Sequence, residues 1–259
     1  MCINTNKKSV NLKYVDWLCL IGPLIINILI WYMIYPVWGY NNLTLNIALS
    51  LNFIYGIGLI LFLGYDFNKI GLNIKSLGQA LVVITAVHLF FVIFGYLLIK
   101  LGINLNLLKN SYQIRAVLNN WILTGLGEEL VFAGVIFNIL NKKITLKKKY
   151  LIVLIVAFIF ALFHLPGYIA IGLSQGHIGL NIVMKLLLNF VSWIVFGTIY
   201  YFSRNLWLTA FAHGSTDYAL LPMITRTPIM GLLFMITLII CGYYLGKKHK
   251  HNIKNIFST

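Results

Sequence analysis

Eight long apolar runs alternate with short polar connections along the chain, at roughly 15–38, 44–65, 77–99, 115–140, 150–172, 183–203, 206–222 and 228–246. A helix rising 1.5 Å per residue needs about 20 apolar residues to cross a hydrocarbon core of roughly 30 Å, so each run predicts a spanning helix. Backbone groups in lipid must be satisfied within the segment, which makes the expected fold an all-α integral membrane protein, a bundle of about eight transmembrane helices. The first run follows Lys7, Lys8 and Lys13, but it is too long for a secretory leader and no A-x-A-like site follows it, so it reads as a retained span. The seventh run is the weakest by hydropathy, because it carries His213, Ser215, Thr216 and Asp217; it is expected to face the bundle interior. No Ser/Pro-rich linker interrupts the runs and no fixed-period repeat is present, so residues 1–259 are expected to form a single polytopic domain.

Composition agrees with this pattern: 60% of residues are hydrophobic, 10% are charged and the mean hydropathy is +0.89, far from the balance of a soluble domain. The division of basic residues adds orientation. With the N-terminus inside, 15 of the 20 Lys and Arg residues fall on the cytoplasmic side and 5 on the other. That bias predicts an even number of spans with both termini cytoplasmic. The net charge of +15 then anchors loops to anionic headgroups. Nucleic acid is not an expected partner, since Lys142–Lys149 is a short interhelical loop and the C-terminal Lys/His cluster directly follows a span. Cys2, Cys19 and Cys241 have no pairing or zinc-knuckle spacing. The chain carries no organellar or retention signal, which points to a multi-pass protein of a bacterial plasma membrane.

Candidate chemistry comes from what interrupts the apolar runs. Glu128, Glu129 and Asp217, three of only five acidic residues, lie inside them, as do His164 and His213. Ionisable groups at that depth cost several kcal/mol each unless they pair or line a wet cavity, and so mark a functional site. Glu128 and Glu129 lie 14 and 13 residues before Lys142, and His164 lies 15 after Lys149, about 20 Å from the cytoplasmic side. His213 and Asp217 follow Arg204 by 9 and 13 residues, about 14 and 20 Å in. Three helices thus bring carboxylates and imidazoles to a similar layer. His213 and Asp217, at i and i+4, share one helix face. Glu128 and Glu129 are about 100° apart around their helix, so one can face a reacting centre while the other braces the helix or a neighbour. His88, alone in its span, reads as a packing residue, and Gly125, Gly127 and Gly134 read as close-packing positions between helices.

The motifs G-E-E-L-V-F-A-G at 127–134, F-A-L-F-H at 160–164 and H-G-S-T-D at 213–217 resemble the three motifs of the CPBP family (CAAX proteases and bacteriocin-processing proteins, also called Abi). That family's pattern is E-E-x-x-x-R, then F-x-x-x-H, then H-x-x-x-N or H-x-x-x-D, on separate membrane helices. The similarity takes in about 115–225. One departure is plain: the motif's arginine falls at Ala133.

The resemblance implies an intramembrane endopeptidase acting on a peptide or a membrane-anchored protein, a prenylated one being one option. Carried over, Glu128 with His164 activates a water, while His213 and Asp217 stabilise the tetrahedral oxyanion. An ionised Asp217 cannot donate a hydrogen bond, so it either acts protonated or orients His213 from one turn away. Glu129, without the arginine, must find another donor, ionise less readily or face water, and desolvation is expected to keep it largely neutral. No cofactor is expected; zinc held by Glu128, His164, His213 and Asp217 is the mechanistic alternative. The functional alternative is a non-catalytic CPBP-like scaffold, immunity or regulatory protein. A proton-coupled transporter fits less well, because no repeat symmetry is visible. The oligomeric state is not constrained.

Overall fold

The computed structural model describes residues 12–38, 42–109, 111–144, 150–175 and 179–256. It is 85% helical, with no strand among these residues, and the chain is an all-α membrane protein. Helix α1 runs through Leu12–Leu29, a π-helical stretch Ile30–Ile34 and Tyr35–Trp38. It is followed by α2 (Asn42–Phe62), α3 (Ile74–Lys100) and α4 (Ile114–Lys143). Then come α5 (Tyr150–Gln175), α6 (Leu180–Ser203), α7 (Leu206–Asp217), α8 (Pro222–Arg226) and α9 (Pro228–Ile256).

Among the described residues, five helices are long and apolar enough to cross a bilayer: α3, α4, the Tyr150–Leu173 part of α5, α6 and the Pro228–Lys248 part of α9. Shorter apolar stretches, Ile21–Ile34 in α1 and Asn46–Phe62 in α2, add to them. The expected seventh span over 206–222 takes a different form. Its helix α7 has 12 residues, about 18 Å at the α-helical rise, which is too short to cross. The chain leaves the helix at Tyr218 and starts α8 with Pro222 in its first turn. Leu221, preceding that proline, is extended at φ −109°, ψ 106°, as the proline ring requires. The basic residues at 1–11 and 145–149, which carry much of the orientation argument, lie outside the described residues.

Burial separates inside from outside. Only 22% of the spanning window of α3 and of α9 is buried, against 78% of that of α4. Helix α4 is therefore the central helix, and α3, α6 and α9 turn much of their apolar surface outward, as lipid-facing helices do. The short helix α7 lies against α4 on one side and α3 and α6 on others. The α4–α7 crossing is close because both sides are glycine. A methyl at Gly125 would come within 2.5 Å of the Ala210 carbonyl oxygen, and one at Gly214 within 2.6 Å of Trp121 Cα. Gly127 and Gly134 are in ordinary contact distance by the same measure, at 3.4 Å and 3.6 Å. Of the three glycines expected to allow close packing, Gly125 is the one whose site excludes a side chain.

The start of α7 is anchored by a single asparagine. Asn205 caps the helix by accepting from the Leu208 amide (3.0 Å) and donates through Nδ2 to the Ser76 carbonyl (2.8 Å). The Leu206 amide also donates to the Gly71 carbonyl (3.2 Å). Gly71 has φ +76° and lies against the Arg204–Asn205 backbone, where a side chain has no room. Arg204 itself turns the chain between α6 and α7 in the left-handed conformation, φ 51°. These contacts fix the depth at which α7 presents His213 and Asp217.

Candidate active site

Glu128 and Glu129 sit in a short α-helical piece, Gly127–Glu129, between two π-helical stretches of α4, Leu118–Leu126 and Leu130–Ile136. A π turn is wider than an α turn and is found preferentially at functional sites. Side chains stabilise the altered spacing: Thr124 Oγ1 donates to the Asn119 carbonyl (3.1 Å), five residues back. Where the second stretch returns to α-helix, Asn138 Nδ2 lies within hydrogen-bonding distance of the Ala133 (3.1 Å) and Gly134 (3.0 Å) carbonyls and of the Tyr200 hydroxyl (2.9 Å).

His164 is placed by α5. Its Nδ1 is 2.9 Å from the Phe160 carbonyl oxygen. A carbonyl only accepts, so Nδ1 carries the proton and the Nε2 lone pair faces the site. Pro166 removes one amide from the hydrogen-bond ladder in the same turn. The nearby Phe163 carbonyl accepts from the side-chain amide of Asn27, which reaches across from α1.

The five residues singled out by sequence meet in one place, centred on His213. Its Nδ1 is 3.1 Å from Glu129 Oε1. Its Nε2 is 3.9 Å from Glu128 Oε2 and 3.5 Å from Asp217 Oδ2. The ring is stacked on Phe196, with centroids 4.6 Å apart and planes at 18°, and Phe160 meets it edge-on at 5.8 Å. Consecutive glutamates thus serve opposite edges of one imidazole: Glu129 braces a neighbouring helix, as the 100° offset allows, and Glu128 faces the opening. His164 Nε2 stands 3.8 Å from the same Glu128 oxygen.

Exposure grades across the cluster. Glu129 is fully buried, the Glu128 and His213 side chains are 7% and 6% exposed, and His164 and Asp217 reach 24% and 33%. The exposed end opens into a cavity of about 180 Å³ that Glu128, His164, His213 and Asp217 line together with Tyr168 and Asn189. Glu129 stays behind His213 and does not line it. Glu129 Oε2, the oxygen left over after His213, has no hydrogen-bond partner among the described residues. The indole of fully buried Trp193 is within interaction range of the Glu129 carboxyl. Ala133, where the resemblance would put an arginine, is fully buried in the packed π-helical stretch.

Among the described residues no group of three or more His, Cys, Asp and Glu side chains is placed to hold a metal ion. His88 stands apart from the cluster: its Nδ1 is 2.7 Å from the Ile84 carbonyl and its ring packs against Phe234 and Trp121.

Sequence reasoning did not single out Tyr168, Asn189 or Trp193. Tyr168 follows His164 by one helical turn, and its ring lies 6.1 Å from the imidazole. That i+4 spacing was the available signal for Tyr168. Asn189 and Trp193 arrive from α6, which carries no charged motif residue.

Residues 110–219 match the family described as type II CAAX prenyl endopeptidase, Rce1-like. The match covers all three motifs and every residue of the cluster. No curated protein and no solved structure matches the chain.

Proposed function

We propose, from the match of residues 110–219 to the type II CAAX prenyl endopeptidase, Rce1-like family, that this chain hydrolyses a peptide bond at the membrane through a water activated by Glu128 and His164. One observation carries the reading: Glu128 Oε2 and His164 Nε2 stand 3.8 Å apart on the wall of a common cavity. That separation is too long for a direct hydrogen bond and suits a single water bonded to both at about 2.8 Å. Glu128 takes a proton from this water as the water oxygen bonds to the scissile carbonyl carbon, and the carbonyl π pair moves onto its oxygen. On collapse that pair reforms the carbonyl, the C–N bond breaks, and the nitrogen leaves with the proton Glu128 had taken. The products are a carboxylic acid and an amine, which exchange a proton to leave a carboxylate and an ammonium.

His213 belongs to the oxyanion. Glu129 at Nδ1 fixes the ring and supports its positive charge, which leaves Nε2–H as a donor toward the cavity. Asp217, 3.5 Å from Nε2, supports the same charge from one turn away. The missing arginine is compatible with this arrangement, because Glu129 takes its partner from α7. The substrate class is a peptide or a membrane-anchored protein, with a prenylated C-terminus as one form.

The test compares peptide termini in cells carrying wild-type protein or Glu128→Gln at matched abundance. Specific termini that vanish in the variant are the expected result. An unchanged set of termini would remove the proteolytic reading, since the near-isosteric amide keeps packing but cannot take a proton.

A further inference from the structure

Tyr168 is the second donor to the oxyanion: we infer that its hydroxyl, oriented by Asn189, supplies the hydrogen bond that a carboxylate at position 217 cannot. The inference rests on the proteolytic reading above. Oxyanion stabilisation requires donors already aimed at the place where charge develops. An ionised Asp217 is an acceptor only, which leaves the His213 Nε2–H in need of a companion.

The geometry supplies one on the facing wall. Tyr168, on α5, and Asn189, on α6, both line the cavity with Glu128, His164, His213 and Asp217. Asn189 Nδ2 donates to the Tyr168 hydroxyl oxygen at 2.9 Å. A phenol has one proton to give, and its oxygen is here engaged as an acceptor, so the O–H is directed elsewhere. Among the described residues it donates to nothing, and the phenol lies within electrostatic reach of both Glu128 and Asp217. The ring is held on three sides: stacked near His164 at 6.1 Å, tied to Asn189, and covered by the Lys185 ammonium 5.4 Å above its face. That cation over the ring strengthens the hydroxyl as a donor. A tethered phenol with a proton to give therefore lines the same cavity as His213. In the tetrahedral state the former carbonyl oxygen accepts from His213 Nε2–H and Tyr168 O–H, and no proton is transferred from either.

Asn189 is a positioning residue in this scheme. Replacing its amide by a carboxylate reverses the bond: Asp at 189 accepts from Tyr168 and turns the O–H away from the pocket.

The test measures how fast newly made termini appear after pulse labelling in cells carrying wild type, Glu128→Gln, Tyr168→Phe, Asn189→Asp or the Tyr168→Phe/Asn189→Asp pair, at matched abundance. Removal of one oxyanion donor lowers turnover about 10²- to 10³-fold, so Tyr168→Phe is expected to slow the termini lost in Glu128→Gln by at least that lower figure. Asn189→Asp is expected to slow them comparably, and the pair to be no slower than Tyr168→Phe alone, as for two residues that act through one hydrogen bond. If Glu128→Gln abolishes the termini while Tyr168→Phe keeps at least a tenth of the wild-type rate, the inference about Tyr168 is overturned and the protease stands. If Glu128→Gln abolishes nothing, both fall together.

Discussion

At the scale of single residues, His213 is the hub, and what matters is which carboxylate meets which nitrogen. Glu129 approaches Nδ1 at 3.1 Å from a fully buried position, whereas Glu128 stands off Nε2 at 3.9 Å and lines the cavity. The two neighbours therefore have different jobs, and their replacements should differ. Glu128→Gln should abolish cleavage. Glu129→Gln keeps the shape but removes the charge that holds His213 in its working form, so a rate loss of roughly 10²- to 10⁴-fold is expected, by analogy with the loss of a carboxylate behind a catalytic imidazole. Initial rates of the two variants on the peptide revealed by the terminus comparison check this, and a Glu129→Gln enzyme at wild-type rate would refute the brace. The five cluster residues were legible in the sequence because charged groups inside apolar runs have few other reasons to exist. Tyr168 and Asn189 were not, because an aromatic and an amide in a membrane helix are ordinary packing residues until a structure shows them facing the same 180 Å³ space.

At the scale of elements, hydropathy located the long helices well and the irregular ones poorly. The expected 77–99 became Ile74–Lys100 and the expected 150–172 became Tyr150–Gln175, since long apolar periodicity leaves little alternative to a helix. The π-helical stretches on either side of Glu128 and Glu129 left no trace in the hydropathy pattern, which does not register side chains such as Asn138 that reach back to carbonyls of their own helix while holding Tyr200 of α6. The division of the seventh run into α7 and α8 had a visible cause in Pro222, which hydropathy averages away. The α4–α7 crossing yields a prediction at this scale. Gly125→Ala places a methyl 2.5 Å from the Ala210 carbonyl oxygen, and overpacking of this kind costs about 1–3 kcal/mol. Gly134→Ala, with nothing nearer than 3.6 Å, should be close to neutral. Thermal unfolding in detergent micelles should show a lower midpoint for the first and an unchanged one for the second; equal midpoints would mean that the crossing is looser than described.

At the scale of the whole molecule, orientation follows from charge. The 15-to-5 division of Lys and Arg predicts both termini in the cytoplasm, and with them a cavity, near the C-terminal half of α5 and the N-terminal half of α6, that lies toward the opposite leaflet. Enzyme reporters fused to each end should both be active only on the cytoplasmic side, and a split result would require an odd number of crossings. The bond from Asn27 to the Phe163 carbonyl has a consequence for how the chain can be cut. The family match begins at residue 110, yet the turn that carries His164 is buttressed by a helix from the first forty residues. The segment that bears the motifs is thus tied to α1: a chain trimmed to residues 110–219 is predicted to lose the support of the His164 turn, and a boundary drawn where the similarity starts would cut through that foundation.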